Sequence, residues 1–280
     1  MRKSLLAAAA LSLAAQNSFD RTIAADAAPG DLFFSADGKT ITALCRDSHV
    51  RTWDVATGKV TIDKTVTAGT TLVSATRAIE RADRTSVRVW DLTADTQLRL
   101  INGAPQGRTV MSSNGKSLAV ASVADRKVRI IDVASGKEKH SLADGIGGAA
   151  EVVFSPDGEL LVSANYDNDV RVWRTSSGEL VKKVEDLTGA MFAGEFTPDG
   201  KQLVMAGLDE TVYVWDAKTF QVAKALKGHG ETISALAISP DGKMMVTGGF
   251  DVVTTRNPVK VALWDLSTGK IVKTMRSPLC

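Results

Sequence analysis

A five-residue pattern returns along this chain at a fixed interval. Phe154-Ser155-Pro156-Asp157-Gly158 recurs as Phe196-Thr197-Pro198-Asp199-Gly200 and as Ile238-Ser239-Pro240-Asp241-Gly242. The steps are 199 − 157 = 42 and 241 − 199 = 42, and Trp173 and Trp215 keep the same beat, 215 − 173 = 42. A period of this length means stacked copies of one small unit, none able to bury its apolar face alone. The chain is thereby directed toward shape and binding before single-site chemistry.

One copy, residues 149–184, reads as four short strands. Glu151-Val152-Val153-Phe154 is an apolar run, and Pro156-Asp157-Gly158 turns the chain. Proline fixes φ near −65° at the start of such a turn and glycine supplies the positive φ. Leu160-Leu161-Val162 is a second run, and Asn165 to Asp169 is a polar turn. Val170-Arg171-Val172-Trp173 alternates as a strand does, Ser176-Ser177-Gly178 turns again, and Leu180 to Val184 is a fourth strand. Four strands joined by tight turns make one small antiparallel sheet.

Six copies can be laid down. The first carries Phe34 to Gly38 and Val50-Arg51-Thr52-Trp53-Asp54; the second keeps Val87-Arg88-Val89-Trp90-Asp91 but lacks the Pro-Asp-Gly hairpin and is short, at 90 − 53 = 37. The third has Met111 to Gly115 and Val128-Arg129-Ile130-Ile131-Asp132, with Ile131 in the Trp slot. The fourth ends in Trp173-Arg174, the fifth in Trp215-Asp216 and the sixth in Trp264-Asp265, the last step being long at 264 − 215 = 49.

These residues resemble the WD-repeat family of β-propellers over about residues 29–275, and Gly228-His229 opens the sixth copy as the family's Gly-His pair does. The resemblance implies an all-β ring of four-stranded antiparallel blades around a channel. It makes the run before Pro-Asp-Gly innermost, the Trp run third and runs such as Lys270 to Thr274 outermost. A propeller of another repeat family would share this architecture. Residues 29–280 give 252/42 = 6 units, so six blades are expected, although seven is common in the family. Residues 16–28 offer one outer strand, Ser18 to Ile23, and cannot make a seventh blade.

An Asp stands six residues before the Trp slot in most copies: Asp47, Asp125, Asp167 and Asp209, with Asp83 seven before. In the family this Asp, the Gly-His histidine, a strand hydroxyl and the Trp form a buried hydrogen-bond network. Here the resemblance allows that network only in the sixth copy, from His229, Thr247, Asp251 and Trp264. The Asp residues are read as turn formers accepting backbone N–H groups. The structural set is therefore these Asp and Trp53, Trp90, Trp173, Trp215 and Trp264, with His229 and Thr247.

Residues 1–15 are unlike the rest. Arg2 and Lys3 precede an apolar run from Leu5 to Ala15, and Ser12-Leu13-Ala14 fits a small-x-small cleavage site near Ala14 or Ala15. This is the layout of a secretory signal peptide, against an Ala-rich N-terminal helix as the plain alternative. The run is too short to span a bilayer, and the remainder holds no longer one, so no membrane insertion is expected after signal removal. The expected domains are thus 1–15 signal, 16–28 N-terminal segment and 29–280 propeller, in a periplasmic or extracellular protein of bacterial type.

The formal charge is +2, which Arg2 and Lys3 supply, leaving +2 − 2 = 0 without them. A neutral mature chain is a poor electrostatic match for nucleic acid. Export would permit a disulfide between Cys45 and Cys280, but Cys45 falls in an expected buried strand, which favours two free thiols.

The chain carries few signatures of chemistry. His49, His140 and His229 lie in different copies without metal-ligand spacing, and neither Cys-x-x-Cys nor Gly-x-Ser-x-Gly occurs. Gly38-Lys39-Thr40 and Gly115-Lys116-Ser117 imitate a phosphate loop, but the required earlier glycine is Phe33 or Val110. Glu195 occupies an inner-strand position equivalent to Val153 and Ala237, where a charge should face the channel. No catalytic residue, metal or cofactor is assigned.

Propellers of the family usually bind partners across the loop face that carries the repeat Asp. The residue before that Asp is Arg46, Ala82, Ala124, Tyr166, Leu208 and Phe250 around the ring, an aromatic and apolar sector over three consecutive copies. An insertion of about seven residues, Val252 to Pro258, follows Asp251 and carries Arg256. Arg46, Tyr166, Leu208, Phe250 and Arg256 are the candidate partner-binding residues, unless these side chains fold inward and cover the blades. The expected function is a non-catalytic scaffold for a protein or peptide partner. The alternatives are a channel-site enzyme or small-ligand propeller, for which Glu195 is the only pointer, and a sensor or regulatory module derived from a larger WD-repeat protein.

Overall fold

The computed structural model describes residues 29–250 and 259–277, apart from 36, 37, 46, 68, 69, 75, 144, 146 and 186. Every element in it is a strand, and the strands form six four-stranded antiparallel sheets arranged as a six-bladed propeller. Blade I comprises β1 (Pro29–Phe34), β2 (Thr40–Cys45), β3 (His49–Asp54) and β4 (Val60–Thr65). Blade II has β5 (Thr70–Ser74), β6 (Arg77–Arg81), β7 (Ser86–Asp91) and β8 (Thr96–Asn102). Blade III has β9 (Arg108–Met111), β10 (Ser117–Ser122), β11 (Lys127–Asp132) and β12 (Glu138–Ala143). Blade IV has β13 (Ala149–Phe154), β14 (Leu160–Asn165), β15 (Val170–Arg174) and β16 (Leu180–Val184). Blade V has β17 (Met191–Phe196), β18 (Gln202–Gly207), β19 (Val212–Asp216) and β20 (Val222–Leu226). Blade VI has β21 (Thr232–Ile238), β22 (Met244–Phe250), β23 (Val259–Asp265) and β24 (Lys270–Ser277). In each blade the strands pair in chain order.

The five-residue pattern is a hairpin closed by its own side chains. In blade IV the Ser155 N–H donates to Leu160 O, Gly158 N–H donates to Ser155 O, and Asp157 Oδ1 accepts both the Ser155 hydroxyl and the Glu159 N–H. Gly158 sits at φ +76°, where a side chain would be strained. Asn114 takes the place of Asp157 in blade III and makes the same two bonds, to Ser112 Oγ and Lys116 N. Blade II has no such clip: Ser74 pairs directly with Arg77 across a two-residue turn, which accounts for its short repeat.

The Asp that follows the Trp slot is also a turn former. Asp54 Oδ1 accepts the Thr57 N–H at 2.7 Å, and Asp132, Asp216 and Asp265 do the same for Ser135, Thr219 and Thr268. These donated bonds hold the carboxyls of Asp54, Asp132 and Asp216 below the usual range. The turn then needs a residue at positive φ, supplied by glycine in four blades but by Asp95 (φ 56°) in blade II and Phe220 (φ 54°) in blade V. Phe220 is buried against Met191, Phe196 and Trp215, so packing offsets its backbone strain.

The core lies between blades. Trp173 packs with Leu142 and Ala119 of blade III, Trp215 with Val162 and Val172 of blade IV, and Trp264 with Val204 and Val214 of blade V. Ile131 fills the Trp slot between blades II and III, fully buried against Val87, Val89 and Ile101. Outer strands latch onto the next blade's turn. Lys64 Nζ donates to Leu92 O, His140 Nε2 bonds Ser176 O, and Lys224 Nζ donates to Leu266 O and Ser267 O. At the ring's closure the hairpin of blade I meets that of blade VI: a methyl on Gly38 would stand 3.8 Å from Pro240.

Candidate partner-binding face

In blades I to V the turns between second and third strands share one face, and each is built around the repeat Asp. The residue after that Asp is left-handed in four blades: Ser48 (φ 62°), Arg126 (57°), Asn168 (60°) and Glu210 (64°). Asp47, Asp83 and Asp209 accept backbone N–H groups two residues on, from His49, Thr85 and Thr211. The spacing also hides a second role. An Arg two residues before the Trp slot lies under the Asp, giving Asp47–Arg51 at 2.7 Å, Asp125–Arg129, and Asp167–Arg171 at 3.8 Å. The guanidinium bond is the chief reason that the carboxyls of Asp47 and Asp125 sit below the usual range. In blade IV Arg171 also reaches Asp169 at 2.6 Å and Ala143 O of blade III.

Blade V departs from this rule. Tyr213 stands in the Arg slot, its hydroxyl donating to Asp209 Oδ2 at 2.6 Å, and Thr188 donates to the same oxygen. Burial, and then Asp209, push the Tyr213 phenol up. Asp209 is thus satisfied by hydroxyls with no cation beside it in its turn.

Tyr166 and Leu208 project from these turns and are 50% and 48% exposed. They do not fold inward. The adjoining loops pass close to them: a methyl on Gly147 would stand 2.9 Å from Tyr166 Cβ, and one on Gly189 3.1 Å from Leu208 Cβ. Val123, exposed in the equivalent turn of blade III, extends the sector. Phe192 joins it from the inner strand of blade V, its ring centroid 6.2 Å from that of Tyr166 with the planes tilted by 54°. The phased copies place Ala150 and Ser234 at the position of Phe192, so an aromatic there is a departure the spacing itself could have flagged. Arg46, Asp251 and Arg256 lie outside the described residues, as does the Phe250 side chain, although its backbone ends β22.

The Trp residues, Thr247 and His229 lie in the scaffold. Trp264 Nε1–H donates to Thr247 Oγ1 at 2.8 Å, and His229 is fully buried with Nδ1 bonded to Glu231 O. Burial pushes the His229 imidazole down from its ordinary value. Trp173 Nε1–H donates to Ser163 Oγ and Trp90 Nε1–H to Glu80 Oε2, each partner ten residues before its Trp. In blade V that position is Met205, and the buried Trp215 indole N–H has no partner among the described residues. Trp53 is buried in blade I.

Two carboxylates tie inner strands across blades. Glu195 Oε2 accepts the Ile238 N–H of blade VI at 3.0 Å. Glu151, 5% exposed, takes a forked pair from Arg108 of blade III, Nε to Oε1 at 3.0 Å and Nη2 to Oε2 at 2.8 Å. Cys45 is a buried free thiol that burial pushes up, and Cys280 lies outside the described residues. Among the described residues, no three His, Cys, Asp or Glu side chains converge as a metal site would require, and no helix is long and apolar enough to cross a membrane.

Residues 138–174, 182–216 and 220–251 match the WD40 family, described as WD domain, G-beta repeat. The match supports a WD-repeat family. Each WD40 stretch starts in or just before the outermost strand of one blade and runs into the next, so the repeat unit staples neighbours together. The third stretch ends at Asp251, where the insertion of blade VI interrupts the repeat. No curated protein matches the chain. WD40 propellers are typically non-catalytic interaction scaffolds.

Proposed function

We propose that this chain is an exported, non-catalytic scaffold that binds a protein or peptide partner through blades III to V. One observation carries the reading: Tyr166, Leu208 and Val123 stay about half exposed on consecutive turns, with Phe192 packed beside Tyr166. Exposed apolar clusters mark interaction sites, and aromatic anchors supply most of the binding energy there. Phe250, Arg46 and Arg256 extend the proposed face by sequence position. Export rests on the basic start and apolar run of residues 1–15, and implies a bacterial-type exported member of the family.

The test is affinity capture from the periplasmic or extracellular extract of the source cell, with wild type and a Tyr166→Ser/Leu208→Ser variant compared by mass spectrometry. The reading expects specific partners to vanish with the variant while its melting temperature is kept. Retention of every partner by the variant refutes it. N-terminal sequencing of the secreted chain checks export, with a new terminus near residue 15 expected.

A further inference from the structure

The three turns that carry the apolar sector are not alike in charge, and the difference has a structural origin. In blade III the segment from Val123 to Arg129 holds Arg126, Lys127 and Arg129 against Asp125, a balance of 3 − 1 = +2. Arg129 is engaged by Asp125 and by Glu138 at 3.2 Å, so the free positive charge of this turn is that of exposed Arg126 and Lys127. In blade IV the segment from Tyr166 to Arg171 holds Asp167, Asp169 and Arg171, a balance of 1 − 2 = −1, with the guanidinium bonded to Asp169; Lys183, 3.6 Å from Asp169, is itself paired with Glu185 and leaves that balance unchanged. In blade V the segment from Leu208 to Tyr213 holds Asp209 and Glu210 and no cation, 0 − 2 = −2. The replacement of the Arg slot by Tyr213 creates that last value, since hydroxyls satisfy Asp209 without neutralising it. Exposed Glu210 adds to it.

The apolar residues therefore lie along a gradient. Val123 stands at a cationic end, Tyr166 and Phe192 in the middle, and Leu208 at an anionic end. The loop entering blade IV passes beside this end, where a methyl on Gly148 would stand 3.3 Å from Val123 Cα and 3.9 Å from Arg126 Cα. Complementary charge sets specificity and orientation more than raw affinity, and like charges placed together exclude wrong partners.

We propose that the partner of this sector is a peptide segment of dipolar chemistry: acidic at one end, aromatic or aliphatic in the middle and basic at the other. The acidic end would lie over Arg126 and Lys127 of blade III, and the basic end over Asp209 and Glu210 of blade V. This inference rests on the docking reading above and adds the partner's charge order.

The test uses four fluorescein-labelled twelve-residue peptides sharing one Leu-Phe-Leu centre. Two are dipolar, with Asp pairs and Lys pairs at opposite ends in either order; one has Asp pairs at both ends and one has Lys pairs at both ends. Binding to the full chain is read by fluorescence polarisation at low salt. One dipolar peptide is expected to bind at least about tenfold tighter than both uniform ones. Arg126→Glu/Lys127→Glu should move the preference to the Lys-ended peptide, and Glu210→Lys toward the Asp-ended one. Equal binding of dipolar and uniform peptides, or a ranking unmoved by these exchanges, overturns the charge order. If binding is then still lost in Tyr166→Ser/Leu208→Ser, the docking reading survives alone. Failure of all four peptides to bind, or equal binding to that double variant, overturns both.

Discussion

Removing Arg108 should destabilise the ring more than removing its partner. Glu151 is 5% exposed and receives both Arg108 nitrogens at 3.0 and 2.8 Å, while the Arg108 side chain is 35% exposed. Arg108→Met leaves a buried carboxylate with the Val152 N–H at 3.2 Å as its remaining donor among the described residues. Breaking a buried pair from one side costs about 3–5 kcal/mol. Solvent reaches the mouth of this pair through the arginine, so a loss of about 2–3 kcal/mol is expected. Glu151→Ala leaves a cation that can turn to water, and should cost only about 1 kcal/mol. The double variant Arg108→Met/Glu151→Ala removes both charges, as in blades V and VI, where Ala193 and Ala235 occupy this level. It should be less damaging than Arg108→Met, which gives a coupling of about 1–3 kcal/mol. Urea unfolding followed by tryptophan fluorescence, with m-values compared among variants, reads all three. Additive losses, or an Arg108→Met no worse than Glu151→Ala, would refute the reasoning and make the pair an ordinary surface bridge.

Other outcomes are open to the same measurements. Thr247→Val keeps the shape of the site but strips the acceptor from the buried Trp264 indole, and should cost about 1–3 kcal/mol by chemical denaturation. Phe220→Gly relieves a left-handed backbone but empties a packed site, so a net loss of about 2–4 kcal/mol is expected, whereas Asp95→Gly at the exposed equivalent should change stability by about 0.5 kcal/mol or less. Burial holds the His229 imidazole below its ordinary value, so the unfolded chain takes up the proton first as pH falls. Its contribution should be complete above about pH 6.5 and decline below that, down through the folded-state value; melting temperatures across pH 5–7.5 should show this slope and His229→Gln should flatten it.

Much of the ring was legible because its turns are written in local chemistry. Ser155-Pro156-Asp157-Gly158 names its hairpin through short-range bonds among residues within five of one another, and the Trp-Asp pairs name theirs in the same way. Blade II lacks those residues, and its shortness was still visible as a gap in the beat. What the phase concealed was contact between copies and between faces of one turn. The ion pair of Asp125 with Arg129 needs the turn's curvature, and that of Arg108 with Glu151 needs to know that inner strands of neighbouring blades stand side by side. Glu195 stands out in the sequence as an odd charge, but its bond to the Ile238 N–H of the next blade is a tertiary fact. Phe192 is different in kind: an aromatic where Ala150 and Ser234 stand is as readable a departure as Glu195. Tyr213 in the Arg slot is readable in the same way, and both belong to the proposed docking sector.

The most direct test of that sector places a photo-crosslinking benzoylphenylalanine at Tyr166, where an aromatic is already half exposed, and separately at Lys201 on the opposite face, whose side chain is 81% exposed. Illumination in an extract of the source cells combined with their medium should yield discrete protein adducts from position 166 and none from position 201. Adducts from 201 alone, or the same adducts from both positions, would contradict binding across blades III to V.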